Sequence, residues 1–367
     1  KMSSKIDIKK IDKNFSSNVS NNLSYRWINP LNSSDISVYG FNWFQKDRRY
    51  HRFPQDCDKI IEKLDGCVGI LANNSSGGIL AFFGSIKSLK IRVKLSYMFN
   101  MGHMAYTGQA GFDLYMGENF DCLKFYRTAN FNFNYSSYEF TFFDSDEALN
   151  QLFVLNFPLY ASVEEVLIGV NDDGKVEKVK KLFPNEGKIV FYGTSITQGG
   201  CASRPGMSYT QIISRHLGYE CLNFGFSGNG KGHIEVARIL SKIENVKMFV
   251  LDYEANVDFT RLKATLEPFV LELRKTYPIV PIFIISKIIF SSETHFSKDA
   301  KEEYIKRSYQ EEFVKICSIF DKNIYYIDGS TLLGNDFNEK TVDGVHPNDY
   351  GFASIARTIE TKIKEKL

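Results

Sequence analysis

The feature that most constrains this chain is a change of hydrophobic period near its middle. From residue 188 onward, short apolar runs at 188–192, 220–224, 246–252, 281–286 and 324–328 alternate with helix-patterned stretches at 209–217, 234–243, 259–277, 298–320 and 350–366. Strand and helix in such alternation predict an α/β domain, a parallel sheet covered by helices on both faces. The first half lacks that rhythm. There Leu89, Ile91, Val93 and Leu95 alternate with Lys90, Arg92 and Lys94, placing one face on a core and the other in water. Further short strands are expected at 112–116, 122–127, 138–143, 151–159 and 163–170, separated by polar turns such as Asn73-Asn74-Ser75-Ser76-Gly77-Gly78. Many short strands with no amphipathic helix between them predict an antiparallel β-sandwich of jelly-roll type. The boundary falls in the polar, Lys-rich stretch 171–187, dividing 367 residues into a sandwich domain, 1–180, and an α/β domain, 181–367. No internal repeat or low-complexity tract interrupts either part.

Charge narrows the partners. With 45 Lys plus Arg against 43 Asp plus Glu, the net charge of +2 creates no cationic field for a polyanion, so a small or neutral substrate is expected and nucleic acid is not. No apolar run reaches the roughly 18 to 20 residues of a membrane helix. The polar, Asn/Ser-rich first 22 residues do not read as a secretory leader, which places the chain as given in the cytoplasm, or outside the cell if a leader has been trimmed. The six cysteines, Cys57, Cys67, Cys122, Cys201, Cys221 and Cys317, lack C-x-x-C spacing and read as mostly buried free thiols. Sequons at Asn18 and Asn134 are expected by chance in so Asn- and Ser-rich a chain.

Ligand sites of open parallel sheets lie at the C-terminal ends of the strands. The first strand of the α/β half runs into Gly193-Thr194-Ser195-Ile196-Thr197, a tight turn that can free the Ser195 hydroxyl for attack. Alone, Gly-Thr-Ser is also an ordinary turn. Near the other end, Asp343-Gly344-Val345-His346-Pro347 sets a carboxylate three residues before an imidazole, close enough on a turn to fix its tautomer and stabilise its protonated form. Serine, histidine and aspartate then make nucleophile, base and orienter. An oxyanion needs donors as well. The second strand ends in Asn223-Phe224-Gly225-Phe226-Ser227-Gly228-Asn229-Gly230-Lys231-Gly232, whose Gly228 N–H can turn toward the serine, and the third ends in Leu251-Asp252-Tyr253-Glu254-Ala255-Asn256, whose amide can donate.

These blocks resemble the SGNH/GDSL hydrolase family, in which Ser, Gly, Asn and His come from four loops of one flavodoxin-like sheet. The resemblance covers residues 188–367 and implies Ser195 as nucleophile, Ser195, Gly228 and Asn256 as oxyanion donors, His346 as base and Asp343 as orienter. The first block reads Gly-Thr-Ser where the name-giving pattern has Gly-Asp-Ser, and the third lacks Gly-x-Asn-Asp, so Asn256 is the least firmly marked member. Gly193-Thr194-Ser195-Ile196-Thr197-Gln198-Gly199-Gly200 together with Phe226-Ser227-Gly228-Asn229-Gly230 is similar to a branch of the family that carries a β-sandwich ahead of the catalytic domain, marked by Gly-x-Asp-Leu-Tyr. Here that motif is Gly111-Phe112-Asp113-Leu114-Tyr115. Its residues fit a turn and a core, or a loop leaning over the serine with Asp113 and Tyr115 toward substrate. Arg204 and Lys231 flank the expected pocket and can hold a polar or anionic part of the substrate. Trp27, Trp43, Tyr50, Arg48, Arg49 and His51 can form a sugar-stacking face, or simply pack.

Rival motifs fall short. Gly225 to Lys231 matches G-x-x-x-x-G-K after a strand, but position 232 is Gly where a phosphate loop needs Ser or Thr for magnesium. The glycines do not complete a dinucleotide fingerprint, and His233-x-Glu235 has no P-C-x-x-C to make a zinc deaminase. No H-e-x-x-H occurs. Thr197 stands where an α/β-hydrolase elbow needs Gly. The expected activity is therefore a serine esterase deacylating, most simply deacetylating, a carbohydrate or other hydroxylated small molecule through an acyl-serine, with no metal or organic cofactor. An acyltransferase using the same residues, and a non-catalytic glycan-binding module, are the alternatives.

Overall fold

The computed structural model describes residues 7–12 and 24–367, so the sequon at Asn18 lies outside the described residues, whereas Asn134 is exposed in a loop. The first half forms one antiparallel sheet of eight strands: β1 (Tyr25–Ile28), β2 (Ser37–Tyr39), β3 (Ile79–Met98), β4 (Asp113–Gly117), β5 (Lys124–Thr128), β6 (Ser137–Asn156), β7 (Ala161–Asn171) and β8 (Lys175–Lys178). The path is β1-β7-β3-β6-β4-β5, with β2 and β8 also on β3.

Two strands of 20 residues make the sandwich. The first part of β3 pairs with β2 and β8, and its second part pairs with β7. Between these parts the β3–β6 register jumps from Ser88↔Asp144 to Ile86↔Leu149, so residues 145–148 bulge out. A bulge there bends both strands and lets the sheet fold onto itself. The result is one core drawing Leu80, Phe82, Leu114, Phe153 and Leu155 from one layer and Ile91, Val93, Phe140, Phe142, Val166 and Ile168 from the other. The runs 138–143 and 151–159, expected as separate strands, are thus mostly one strand. Its polar middle, Asp144 to Asn150, hides that continuity in the sequence. The expected strand at 122–127 starts later, because Phe120–Cys122 is a short 3-10 helix whose Asn119 side chain caps Cys122 N.

In the second half, β9 (Lys188–Gly193), β10 (Glu220–Gly225), β11 (Val246–Asp252), β12 (Ile282–Ile285) and β13 (Ile324–Ile327) form a wholly parallel sheet, order β10-β9-β11-β12-β13. Alternate residues serve two cores. Ile189, Phe191, Met248 and Val250 face the helices Tyr209–Leu217 and Asp349–Ile363. Val190, Tyr192, Phe249 and Leu251 face Ile234–Leu240 and Phe259–Thr276. The second core also takes Phe53, from a bend, and Cys57, Ile61, Val68 and Leu71, from short helical turns, of the first half. The chain order reverses at β9, flanked by β10 and β11, and such a switch point opens a crevice at the C-terminal strand ends.

The two halves are joined by buried polar contacts. The Asn/Ser/Gly turn after residue 72 is not at the surface, since Asn74, Ser75 and Ser76 are fully buried. Ser75 Oγ ties this turn to the sandwich, donating to the carbonyls of Pro158 and Ala161, each at 3.0 Å, and Ser76 Oγ crosses to the α/β half, donating to Gln198 O at 2.7 Å. Arg52 is buried too, its guanidinium reaching the carbonyls of Leu71, Asn223 and Gly225 with its face over Phe226. All six cysteines are free, three of them buried, while Cys67 and Cys122 are exposed. Among the described residues no helix is long and apolar enough to cross a membrane.

Candidate active site

Gly193, Gly225 and Asp252 stand side by side in register, so the loops after β9, β10 and β11 leave the sheet at one level. After Gly193 the chain turns into the short helix Ser195–Gln198, whose N-cap Thr194 accepts from Ile196 N at 3.2 Å. As the first residue of a helix, Ser195 has a backbone N–H with no intrahelical acceptor. The turn is crowded: a Cβ on Gly230 would sit 1.9 Å from Gly193 O, so only glycine lets the β10 loop close on the end of β9. The sandwich supports the same helix from behind, through Ser76 on Gln198 O, Gln198 Nε2 on Asn74 Oδ1 at 3.0 Å, and Tyr160 Oη on Ser195 O at 3.4 Å.

The decisive contact joins the two ends of the α/β half. Ser195 Oγ lies 3.0 Å from His346 Nε2, and His346 Nδ1 lies 2.7 Å from Asp343 Oδ2. Asp343 Oδ1 meanwhile accepts from the N–H groups of Val345 at 3.0 Å and His346 at 2.7 Å. A three-residue spacing suffices because the loop is a tight turn: Gly344 has φ +84°, Val342 N donates to His346 O at 2.8 Å, and Ser291 N donates to Gly344 O at 2.9 Å. With a carboxylate on Nδ1 the proton belongs there, leaving Nε2 as acceptor for the serine hydroxyl. Burial alone would raise the Asp343 carboxyl, but the His346 N–H, the His346 ring and its charge, and the Val345 N–H outweigh it and hold the group below the usual carboxylate range. Asp343 thus stays ionised where it faces the ring.

The other expected residues divide. Gly228 adopts φ +66° and a Cβ there would meet nothing within 4 Å, so the space beside its Cα is open. Asn256 donates from Nδ2 to Phe226 O at 3.2 Å, fixing its amide against the Gly228 loop and leaving the second Nδ2 hydrogen available. Lys231 is half-buried on that loop, its carbonyl accepting from Arg261 Nε at 3.1 Å. Asp113, Tyr115 and Arg204 face one another. Arg204 Nη1 donates to Asp113 Oδ2 at 2.9 Å and to Tyr115 Oη at 2.7 Å, and the Asp113 carboxylate, fully buried, also accepts from Gly206 N and from Asn156 Nδ2, each at 2.7 Å. Substrate contact by Asp113 is replaced by a clasp between the halves.

The expected sugar-stacking face does not form. Tyr50 is buried among Phe41, Phe44 and Phe157, and His51 is buried with Nδ1 2.8 Å from Phe53 O. Trp43 packs on Phe224, Arg49 pairs with Asp58, Arg48 donates to Leu31 O, and Trp27 lies under Arg92 on the far layer. One neighbour had no signal in the sequence: His103, from a sandwich loop, places Nε2 3.5 Å from Asp343 Oδ2 and its ring 5.9 Å from that of His346. The short helix after that loop, Tyr106–Ala110, packs on the α/β half, with Thr107 Oγ1 donating to Ser203 O at 2.5 Å. A cavity of 730 Å³ lined by Tyr39, Lys181, Phe183, Lys188, Glu220 and Lys247 lies instead at the N-terminal ends of the strands, away from the chemistry.

Two family models match the chain. Residues 186–364 match the GDSL-like lipase/acylhydrolase family, and residues 25–176 match the GxDLY model, the N-terminus of SGNH-hydrolase-type esterases. The chain belongs to the SGNH/GDSL hydrolase family. Among solved structures, this family member is similar to a protein of Bacteroides ovatus described as a GDSL-like lipase, at 28% identity and a TM-score of 0.84, covering 94% of this chain and 98% of that one. A salicylyl-acyltransferase from a tetracycline biosynthetic pathway shares the fold at 18% identity, TM-score 0.75, covering 93% and 97%. So does a family two carbohydrate esterase of Clostridium thermocellum solved with cellohexaose, at 17% identity, TM-score 0.58, covering 79% and 93%. No curated protein matches by sequence. Membership in this family leaves the phosphate-loop reading of Gly225 to Lys231 without support.

Beneath the Ser195–Gln198 helix of this GDSL-type domain, Asp252 accepts from Tyr209 Oη at 3.2 Å and Thr197 Oγ1 at 3.4 Å. Burial pushes its carboxyl up to about 8, despite the Tyr209 hydrogen bond. A carboxyl raised above its unfolded value near about 4 favours the folded state below that pH, and the contribution is lost as pH rises through the folded value. We therefore expect Asp252→Asn to melt with a shallower loss of stability between about pH 4 and 8 than the parent protein. Thermal melts across that range check it; parallel slopes would show the carboxyl to be ionised when folded. Glu254, raised by burial to about 7, keeps a residual slope in both proteins.

Proposed function

We propose that the protein is a serine esterase that removes an acyl group, most simply acetyl, from a carbohydrate or other hydroxylated small molecule. The observation that carries this reading is the unbroken chain from Ser195 Oγ through His346 to Asp343. Ser195 Oγ attacks the ester carbonyl while His346 Nε2 takes its proton, and Asp343 stabilises the imidazolium. The oxyanion meets the N–H groups of Ser195 and Gly228 and the Asn256 amide. Collapse breaks the bond to the alcohol, which leaves with the proton from His346, and a water activated by the same ring then releases the acid from acyl-Ser195.

Admitting an alcohol in place of that water makes the same residues an acyltransferase, and the shared fold of an acyltransferase keeps this second reading open. Lys231 is proposed to steer a polar part of the substrate. Arg204, Asp113 and Tyr115 are assigned to positioning the Arg204–Met207 turn. We propose the division near residues 180 and 181, with the sandwich supplying the wall over the site.

A small chromogenic acetate ester tests the reaction. Turnover with water alone supports the esterase, product formed only with added alcohol supports the transferase, and no acyl release under either condition removes both. Asn256→Ala is expected to lower kcat about 100-fold with KM little changed, the loss typical of one oxyanion donor. An unchanged kcat, or a loss carried by KM alone, would remove Asn256 from the oxyanion site.

A further inference from the structure

His103, Cys201 and His346 come together from three separate segments: a sandwich loop, the chain just after the nucleophile helix, and the loop before the last helix. One ring nitrogen of each histidine and the Cys201 sulfur all lie within 4.8 Å of one another. Two imidazoles and a thiol are the donor set preferred by Zn²⁺ and other borderline-soft cations, whereas Mg²⁺ and Ca²⁺ require oxygen ligands. Zinc bonds of about 2.0 to 2.3 Å demand somewhat closer ligands, so binding needs an inward shift of about 1 Å. His103 can supply it, because its side chain is 43% exposed and lies in a surface loop. That exposure also provides the entry path. Cys201 is buried, and its sulfur forms the floor.

We propose that His103, Cys201 and His346 form an inhibitory site for a borderline-soft divalent cation such as Zn²⁺. The imidazoles bind as neutral ligands, the Cys201 thiol releases its proton to solvent, and the fourth position stays with water. Inhibition follows whichever nitrogen of His346 is taken. Nε2 is the atom facing Ser195 Oγ at 3.0 Å, and Nδ1 is the atom facing Asp343 Oδ2 at 2.7 Å. Coordination at either removes the base from the serine or the orienter from the base. The inhibitory consequence rests on the esterase reading; the binding itself does not.

The full-length protein, freed of metal with a chelator, is titrated with cobalt(II) chloride while the thiolate-to-cobalt charge-transfer absorption is followed, and zinc chloride is added in competition. The parent protein and Ser195→Ala are expected to develop the band at one equivalent. Cys201→Ser is expected to lose it, and His103→Ala to need at least tenfold more cobalt. In parallel, each active protein is assayed with zinc against its own metal-free rate. Micromolar zinc should inhibit the parent reversibly on chelation, magnesium should not, and His103→Ala should shift the inhibition midpoint at least tenfold. Absence of the band in the parent protein, or equal affinity in all variants, overturns the site. The band without zinc inhibition overturns its inhibitory role. An inactive parent that still shows the band refutes the esterase reading and leaves the metal site standing.

Discussion

Ser195→Ala and His346→Ala are each expected to lower kcat on an acetate ester by about 10⁴-fold or more, with the double variant no worse than either alone. The size follows from the hydrogen-bonded chain. Without Oγ there is no atom to form the acyl-enzyme, and without Nε2 the hydroxyl keeps its proton at neutral pH. Because the two groups act in one step, removing the second costs little once the first is gone. Asp343→Asn should be intermediate, at about 10²- to 10⁴-fold, since an amide still fits the turn but no longer stabilises the imidazolium or enforces its tautomer. Both carboxylate oxygens of Asp343 are engaged, so part of that loss will come from a loosened loop. Steady-state assays with matched thermal melts separate the two contributions. Near-parental turnover by Ser195→Ala, with an unchanged melting curve, would sink the assignment.

What could be read in advance was what depends on neighbours in sequence. The Ser195 turn follows an apolar strand directly, and the Asp343–His346 pair is closed by a single tight turn, so both are visible as short motifs. The parallel sheet was legible for the same reason, with each apolar run bounded by a helix of clear period. Contacts made only by tertiary folding were not. His103 sits in a Gly- and Met-rich loop without any ligand spacing, and nothing local says that it ends beside Asp343. The 145–148 bulge is polar enough to look like a loop between two strands. Tyr50 and His51 carry polar atoms suited to a surface, yet Tyr50 is buried among Phe41, Phe44 and Phe157 in the core of the first half, and His51 is buried with its ring against Phe53 O. The GxDLY carboxylate was seen as a motif, but its partner lies 91 residues away, beyond any pattern along the chain.

That partner makes the Asp113 position the most consequential one for stability. Its side chain is 0% exposed, and its two oxygens accept three hydrogen bonds, one from Asn156 within the sandwich and two from Arg204 and Gly206 across the interface. Arg204 is only 17% exposed, lies over Phe125, and shares Tyr115 with Arg215. The Asp113 carboxylate therefore sits between two largely buried guanidinium groups. Removing it leaves their mutual repulsion uncompensated and strands a buried backbone N–H. Breaking a buried pair by deleting one partner typically costs about 3–5 kcal/mol. We expect Asp113→Ala to lose stability of that order, and Asp113→Asn somewhat less, since an amide oxygen still accepts from Gly206. The Arg204–Met207 turn follows directly on the chain that carries Ser203, which Asp349 at the start of the last helix holds through Ser203 N at 2.8 Å. Loosening that turn should also reduce turnover in the folded protein, because the His346 loop leads into the same helix. Urea unfolding followed by fluorescence measures the first effect, and activity at low urea measures the second. A variant that unfolds at the parental midpoint would show that the motif carboxylate contributes no net energy to the joint, leaving the apolar contacts and Arg52 to hold the halves together.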